Sequence, residues 1–449
     1  MKRVLVWGIA KSGIAAAKLL CERGVFVRIN DLKTTDQLAN DLKPLDGLTY
    51  ENRLGEDVMT LLDDIDTLVI SPGIPADHKA AKLAREKGIE VISEIELAYR
   101  FSKGLLIGVT GTNGKTTTTT LIGEIFKNVG KETFVVGNIG EPYSAHALET
   151  NEDSVTVCEL SSFQLETIDS FRPHISLILN LTEDHLNRHK TMENYGRIKE
   201  RVFLNQKPGD CVILNYDDPL TRKMAQNAAC DVYFFSAKQK VMGAYATEDG
   251  RVIWNDGKNE TELLKTDEIY IPGHHNLENA LAAVAAVKLG GASDEIITWT
   301  LKTFKGVEHR IEFVRSFEGI SYINDSKGTN PDSTIKAVEC MKVPTVILLG
   351  GSVKNSDYLP MSKIIAASNI KYAVLLGDTG ETIGEALSKA GFTDFEYVGH
   401  DFEKAIAEAR KHASEGWNVL LSPACASFDM FRDFEHRGEE FKRIVNEMN

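Results

Sequence analysis

The stretch Gly108-Val-Thr-Gly-Thr-Asn-Gly-Lys-Thr-Thr-Thr-Thr-Thr120 constrains this chain more than any other. It follows an apolar run, residues 105–107, that reads as a short buried strand. It precedes residues 121–126, whose apolar spacing is helical. Strand, glycine turn, Lys-Thr and helix together make a phosphate cradle. The glycines let backbone N–H groups close on phosphate, and the helix N-terminus adds partial positive charge. Gly111, Thr112, Asn113, Gly114, Lys115, Thr116 and Thr117 are therefore expected to hold a nucleoside triphosphate. Lys115 would reach the terminal phosphates and Thr116 a metal ion. The longer spacing G-x-x-x-x-G-K-[ST] needs Gly at position 109, where this chain has Val109, but G-x-x-G-K-T is intact. A Thr run is a poor helix former, a mismatch expected where function overrides local preference. The competing reading is a plain Gly/Thr turn.

With 449 residues, and roughly 150 residues per domain as a prior, about three domains are expected. Hydrophobic residues make up 43% and charged residues 26%, as in globular chains with real cores. The net charge of −14 argues against nucleic acid or an anionic membrane as partner, so any positive charge that meets phosphate must be local. No apolar run approaches a membrane span and no leader precedes the first strand, which points to a cytoplasmic protein. The six cysteines form no C-x-x-C pair and read as reduced thiols.

Strands and helices alternate along residues 1–97, implying a parallel sheet covered by helices. A linker is read around Phe101-Ser-Lys-Gly104, a central unit over 98–306 and a third α/β unit over 307–449. The first turn, Gly8-Ile-Ala-Lys-Ser-Gly13, is G-x-G-x-x-G with Ala10 for the second glycine. Asp31 ends the next strand, 18 residues beyond Gly13, near where a ribose-binding acid belongs. A dinucleotide, a nucleotide-sugar or an ordinary doubly wound turn all fit Ala10, Lys11, Ser12 and Asp31. Ser71-Pro-Gly-Ile-Pro75, with Ser71 and Gly73, also follows a strand, at the sheet edge where ligands bind.

Further candidates cluster after strands. Glu159 ends a strand beyond the phosphate loop, the usual place for a magnesium ligand, or is simply an exposed acid. His185 lies in a loop with acids at another strand end, whereas His189 reads as surface. Lys199 reads as helical and, by default, solvated. Asn276 and Asn279 share a helix face and could present amides to a nucleotide, or Asn276 could cap the helix. Arg310, Asp325, Lys327, Thr329, Lys354 and Ser427 sit on or near loops that follow strands of the third unit.

These motifs resemble the Mur ligases, ATP-dependent amino-acid ligases of peptidoglycan synthesis. The resemblance rests on Thr110-Gly-Thr-Asn-Gly-Lys-Thr116, Glu159-Leu-Ser-Ser-Phe-Gln164, His275-Asn276-x-x-Asn279, Glu308-His-Arg310 and Asp325-Ser-Lys-Gly-Thr329, and covers essentially the whole chain. It implies an α/β fold of three domains: a Rossmann-like N-terminal domain, a central P-loop ATPase domain with a parallel sheet, and a Rossmann-like C-terminal domain. Within the family, Ser71-Pro-Gly-Ile74 and Leu421-Ser-Pro-Ala-Cys-Ala-Ser427 with Phe434 look most like the branch that adds D-glutamate to UDP-N-acetylmuramoyl-L-alanine. The resemblance implies ATP and magnesium, two ions, held with the help of Thr116, Glu159, His185 and a carbamylated Lys199. Lys115, His185 and Lys199 would be catalytic. Asn276, Asn279, Arg310, Asp325 and Lys327 would contact ATP. Asn138, Ser161 and Gln164 would meet the muramoyl part, and Thr329, Lys354, Ser427 and Phe434 the D-glutamate. Val353 and Asn355 flank Lys354 where that branch often reads Gly-Gly-x-Asp-Lys-Gly. The partners implied are these small molecules, with the chain a monomer. A ligase adding another amino acid, a folylpolyglutamate synthetase, a P-loop kinase or switch and an NAD-dependent oxidoreductase are the alternatives.

Overall fold

A computed structural model describes residues 1–353 and 356–448. The chain divides into two compact units, residues 1–270 with 276–304, and residues 271–275 with 305–449.

The first unit holds two sheets. In the smaller one the strands lie in the order Glu51–Asn52, Phe26–Asn30, Arg3–Trp7, Thr67–Ile70, Glu90–Ser93, all parallel. Continuous apolar runs form these strands because both faces are covered. Val4 and Val6 point into one core and Leu5 and Trp7 into the other. The strand order reverses between Arg3–Trp7 and Thr67–Ile70, the crevice position where open α/β sheets take ligands. The turns after those two strands are 8–13 and 71–75. Gly8 adopts φ +94, and a Cβ there would lie 2.6 Å from the Ser71 Cβ, so the two turns touch only because residue 8 is glycine.

The larger sheet has the order Glu260–Lys265, Arg251–Asn255, Gly243–Ala246, Asp231–Ser236, Cys211–Asn215, Ile175–Ile178, Leu105–Thr110, Val155–Glu159, Thr133–Gly137. The two strands over 251–265 are antiparallel additions to a parallel sheet. No strand pattern separates them in the sequence, because Glu260–Lys265 is charged and largely exposed. Two Asp-Gly pairs, Asp249-Gly250 and Asp256-Gly257, mark the hairpin turns and were the available signal.

The two sheets share one core. Ile95, Leu97 and Ala98 of helix Glu94–Tyr99 join Val4 and Val27 on one side to Leu106, Cys158 and Phe171 on the other. Glu96 staples the seam. It is fully buried and accepts hydrogen bonds from the Asp169, Ser170 and Phe171 amides, the Ser170 hydroxyl and Arg100.

The second unit is a six-stranded sheet in the order Glu312–Phe317, Ile320–Asn324, Asn418–Leu421, Thr345–Gly350, Ile370–Leu376, Phe395–Tyr397. Among its described strands, the Glu312–Phe317 edge alone is antiparallel. Ile347, Leu349, Leu375 and Leu420 fill one face, and Val346, Leu348, Leu376 and Leu421 the other. No helix among the described residues is long and apolar enough to cross a membrane.

Candidate active site

The phosphate loop connects strand Leu105–Thr110 to helix Lys115–Asn128. Gly114 caps the helix at φ +82, and a Cβ there would lie 2.1 Å from the Asn279 Oδ1. The left-handed conformation and the close approach both require glycine. Thr116, Thr117, Thr118 and Thr119 are buried, so the Thr run packs inward. The loop is anchored to the end of the neighbouring strand. Asn180 accepts from the Thr112 amide (3.0 Å) through its carbonyl and from the Asn113 amide (2.8 Å) through its side chain. Lys115 Nζ donates to the Gly111 and Thr112 carbonyls at 3.0 and 2.7 Å. Asn279 accepts from the Thr118 hydroxyl and donates to Asn276 Oδ1 (3.2 Å), which brings both amides to the loop. Helix His274–Leu289 begins before Asn276, which therefore lies inside the first turn and is not its cap.

Glu159 and Lys199 are the buried ionisable groups beneath this loop. Glu159 is 2% exposed; its Oε1 accepts from Asn138 Nδ2 at 2.9 Å, and its Oε2 is buried with no partner among the described residues. The reading of Lys199 as a solvated helix lysine is corrected by its 1% exposure. Its Nζ donates to the Gly111 carbonyl at 2.7 Å and lies 4.7 Å from the Tyr195 ring centre. Burial, then repulsion from Lys115, holds its pKa well below the ordinary lysine value. A buried carboxylate oxygen without a donor, beside a loop shaped by two positive-φ glycines, fits a magnesium–nucleotide donor set.

His185 is at φ +53, with its ring 4.8 Å from that of Phe163 and its amide bonded to Asp184. The expectation that His189 is surface is overturned: it is 2% exposed, bonded to the Ser162 hydroxyl at 2.9 Å, and packed on Phe163 and Tyr195. Burial lowers its pKa, which favours the neutral ring. Its neighbour Arg188 and Glu166, both absent from the sequence reading, form a two-point pair. An Arg inside Asp-His-Leu-Asn-Arg-His carries no motif signal of its own.

Facing these residues across the seam, Lys11 Nζ donates to the Gly140 carbonyl at 2.8 Å, which brings the 8–13 turn to the loop carrying Asn138. Ala10 stands at the N-cap of helix Lys11–Glu22, with Ser12 in its first turn. Ser71 donates its amide to the Trp7 carbonyl, and Gly73 lies exposed at the tip of the second turn. Asp31 spends its carboxylate on the Ile9 and Lys33 amides, tightening the glycine turn. Ser161 and Gln164 form the capping box of a one-turn helix.

In the second unit, Asp325 follows strand Ile320–Asn324. It accepts from the Ser422 hydroxyl at 2.7 Å and the Ile311 amide at 3.2 Å, and burial pushes its pKa up to about 6. Gly328 permits this, since a Cβ there would lie 2.6 Å from Asp325 Oδ2. Arg310, Asp325 and Lys327 line one small cleft with His275, whose pKa burial and then Arg310 depress to about 4. Lys327 Nζ sits 5.1 Å over the Phe434 ring. Buried Arg437 ties the loops together, donating to the Ser326 and Cys425 carbonyls and the Ser326 hydroxyl. Ser427 is buried on the second of these loops, and Thr329 follows Gly328 on the first. Lys354 lies outside the described residues.

Three family models match the chain in order. These are the Mur ligase MurD-like N-terminal domain over residues 2–93, the Mur ligase middle domain over 109–287 and the Mur ligase glutamate ligase domain over 309–425. The UDP-N-acetylmuramoylalanine–D-glutamate ligase of Thermoanaerobacter sp. (strain X514) is 46% identical, covering 100% of this chain and 98% of that protein. The ligase of the same name from Clostridioides difficile (strain 630) is 44% identical, covering 100% and 99%. Among solved structures, a UDP-N-acetylmuramate-alanine ligase from Thermotoga maritima matches with a TM-score of 0.62 at 21% identity, covering 99% of each chain. At that identity the match speaks for the fold.

Proposed function

The chain belongs to the Mur ligase family, and on that premise we propose that it joins the amine of D-glutamate to the alanyl carboxylate of UDP-N-acetylmuramoyl-L-alanine, with ATP converted to ADP and phosphate. The observation that carries this reading is the match of the whole chain, through all three domains, to relatives bearing that one name. The enzyme acts in the cytoplasm, as a monomer, in peptidoglycan precursor synthesis.

A carboxylate is a poor electrophile and must be activated before an amine attacks it. The alanyl carboxylate oxygen attacks the γ-phosphorus of ATP, the bond to the β-phosphate oxygen breaks, and an acyl phosphate forms. The amine of D-glutamate then attacks the carbonyl carbon, phosphate leaves and the amine gives up a proton. The 8–13 and 71–75 turns, with Ala10, Lys11, Ser12, Asp31, Ser71 and Gly73, hold the UDP end. Asn138, Ser161 and Gln164 hold the muramoyl part. The 111–117 loop wraps the phosphates, Lys115 offsets charge on the transferring group, and Asn276 and Asn279 support the nucleotide. Arg310, Asp325 and Lys327 complete ATP binding. Thr329, Ser427 and Phe434, with Lys354, form the D-glutamate pocket. Thr116, Glu159 and His185 would hold magnesium, as two ions, which would supply charge neutralisation at the phosphates.

Lys199 has a distinct task. Desolvation makes an amine give up its proton more readily, and the free amine is nucleophilic. It would add to carbon dioxide with loss of a proton, and the resulting carbamate would be a carboxylate-like fourth ligand beside Thr116, Glu159 and His185. Lys199→Ala is expected to lose turnover by about 100-fold or more and to regain part of it with added short carboxylic acids; full activity without them would contradict the role. For the acyl phosphate, substrate carrying oxygen-18 in its alanyl carboxylate should pass one labelled oxygen to the released phosphate. Unlabelled phosphate would remove that step.

A further inference from the structure

We propose that Arg188 is a positioning residue that sets the 71–75 turn and the His185 turn in one fixed register, so that the UDP end of the substrate and the candidate metal ligand are aligned by a single guanidinium. This rests on the functional reading above, which places the UDP end at the 71–75 turn.

The geometry is specific. Arg188 Nη1 donates to the Pro72 carbonyl at 2.8 Å and Nη2 to the Ile74 carbonyl at 3.2 Å. Its Nε and Nη2 also close on the two oxygens of Glu166, and the guanidinium lies 4.1 Å over the Phe163 ring. The side chains of Arg188 and Glu166 are only 16% and 11% exposed, so this pair works largely out of water. One planar fork thereby binds a carboxylate of the larger sheet's domain and two carbonyls of the substrate turn.

The turn that carries Arg188 needs such an anchor. It is the single helical turn Leu186–His189, entered through His185 at φ +53 and left through Lys190 at φ +70. Non-glycine residues in that region persist only where their surroundings hold them. Among the described residues, Arg188 and His189 both tie the turn down, and Asn194 Nδ2 donates to the His189 carbonyl at 2.9 Å. His189 Nδ1 lies 3.7 Å from the same Glu166, and its ring packs on Tyr195, whose hydroxyl is 3.3 Å from Thr112 of the phosphate loop. A contact chain therefore runs from the 71–75 turn through Arg188, Glu166, His189 and Tyr195 to Thr112.

Lysine cannot copy this fork, since it offers no second in-plane donor pair. Arg188→Lys and Arg188→Ala are compared with wild type by calorimetric binding of UDP-N-acetylmuramoyl-L-alanine and by steady-state kinetics. Both variants should bind the nucleotide substrate about tenfold or more weakly and show a raised magnesium requirement, with the KM for D-glutamate within about twofold of wild type. Wild-type nucleotide binding in Arg188→Lys would overturn the proposal. So would a uniform rise of every KM together with a lowered thermal midpoint, which is the mark of a general structural role. Wild type that fails to bind the nucleotide would instead overturn the assigned function.

Discussion

At Glu94 the chain buries a carboxyl completely. The Ser144 amide donates to its Oε1, and its Oε2 has no partner among the described residues. Burial pushes its pKa from 4.5 up to about 7. The folded state thus holds this proton more tightly than the unfolded chain. Its contribution to stability is full below about 4.5 and is lost as pH rises through about 7. Glu94→Gln removes the charge but keeps an acceptor for Ser144. The variant is expected to gain about 3 kcal/mol relative to wild type on going from acid to mildly alkaline pH, read as the change in urea midpoint; parallel midpoints across that range would refute the burial account. Residue identity revealed only part of this scale. Lys199 and His189 read as solvent-facing, because nothing local in Tyr195-Gly-Arg-Ile-Lys199 or Asn187-Arg-His189 reports that the phosphate loop and Phe163 will cover them. Such burial is a tertiary outcome.

The elements around the site were more legible, because their signals are local. A strand, a glycine turn and Lys-Thr announced the phosphate loop, and the 18-residue spacing from Gly13 to Asp31 announced the first βαβ unit. The role of Asp31 within that unit was not legible. Its carboxylate clamps the Ile9 and Lys33 amides, which requires knowing the turn's backbone direction. Gly114→Ala tests the loop. A left-handed alanine costs roughly 1–2 kcal/mol by itself, and its Cβ would strike Asn279 Oδ1, so ATP turnover should fall by about 100-fold while far-UV circular dichroism stays unchanged. Retained turnover would mean that the loop conformation is not the one nucleotide needs. Glu96 tests the seam between the two sheets. Burial raises its pKa, but the Ser170 hydroxyl, the Asp169 amide and Arg100 outweigh that and leave it lowered. Its stabilising effect is therefore present above the ordinary glutamate pKa of 4.5 and lost on acidification. Glu96→Ala strands the Asp169, Ser170 and Phe171 amides and should cost about 3–5 kcal/mol in urea unfolding at neutral pH; a cost under about 1 kcal/mol would deny it the stapling role.

At the scale of the whole molecule, three α/β units were readable from strand–helix alternation and from loops that converge at strand ends. Of the antiparallel additions at 251–265, Glu260–Lys265 was hidden by its charged, largely exposed composition, and Arg251–Asn255 is a short apolar run whose direction is signalled by the flanking Asp-Gly turns alone. What no single element reports is which amino acid the enzyme adds, since chirality and side-chain length are read by a pocket and not by a motif. The direct test is phosphate release from ATP and magnesium with UDP-N-acetylmuramoyl-L-alanine, comparing D-glutamate, L-glutamate, L-lysine and diaminopimelate in bicarbonate-containing buffer. The account predicts release with D-glutamate alone; release with another of the four, or equal release with no amino acid at all, would contradict it.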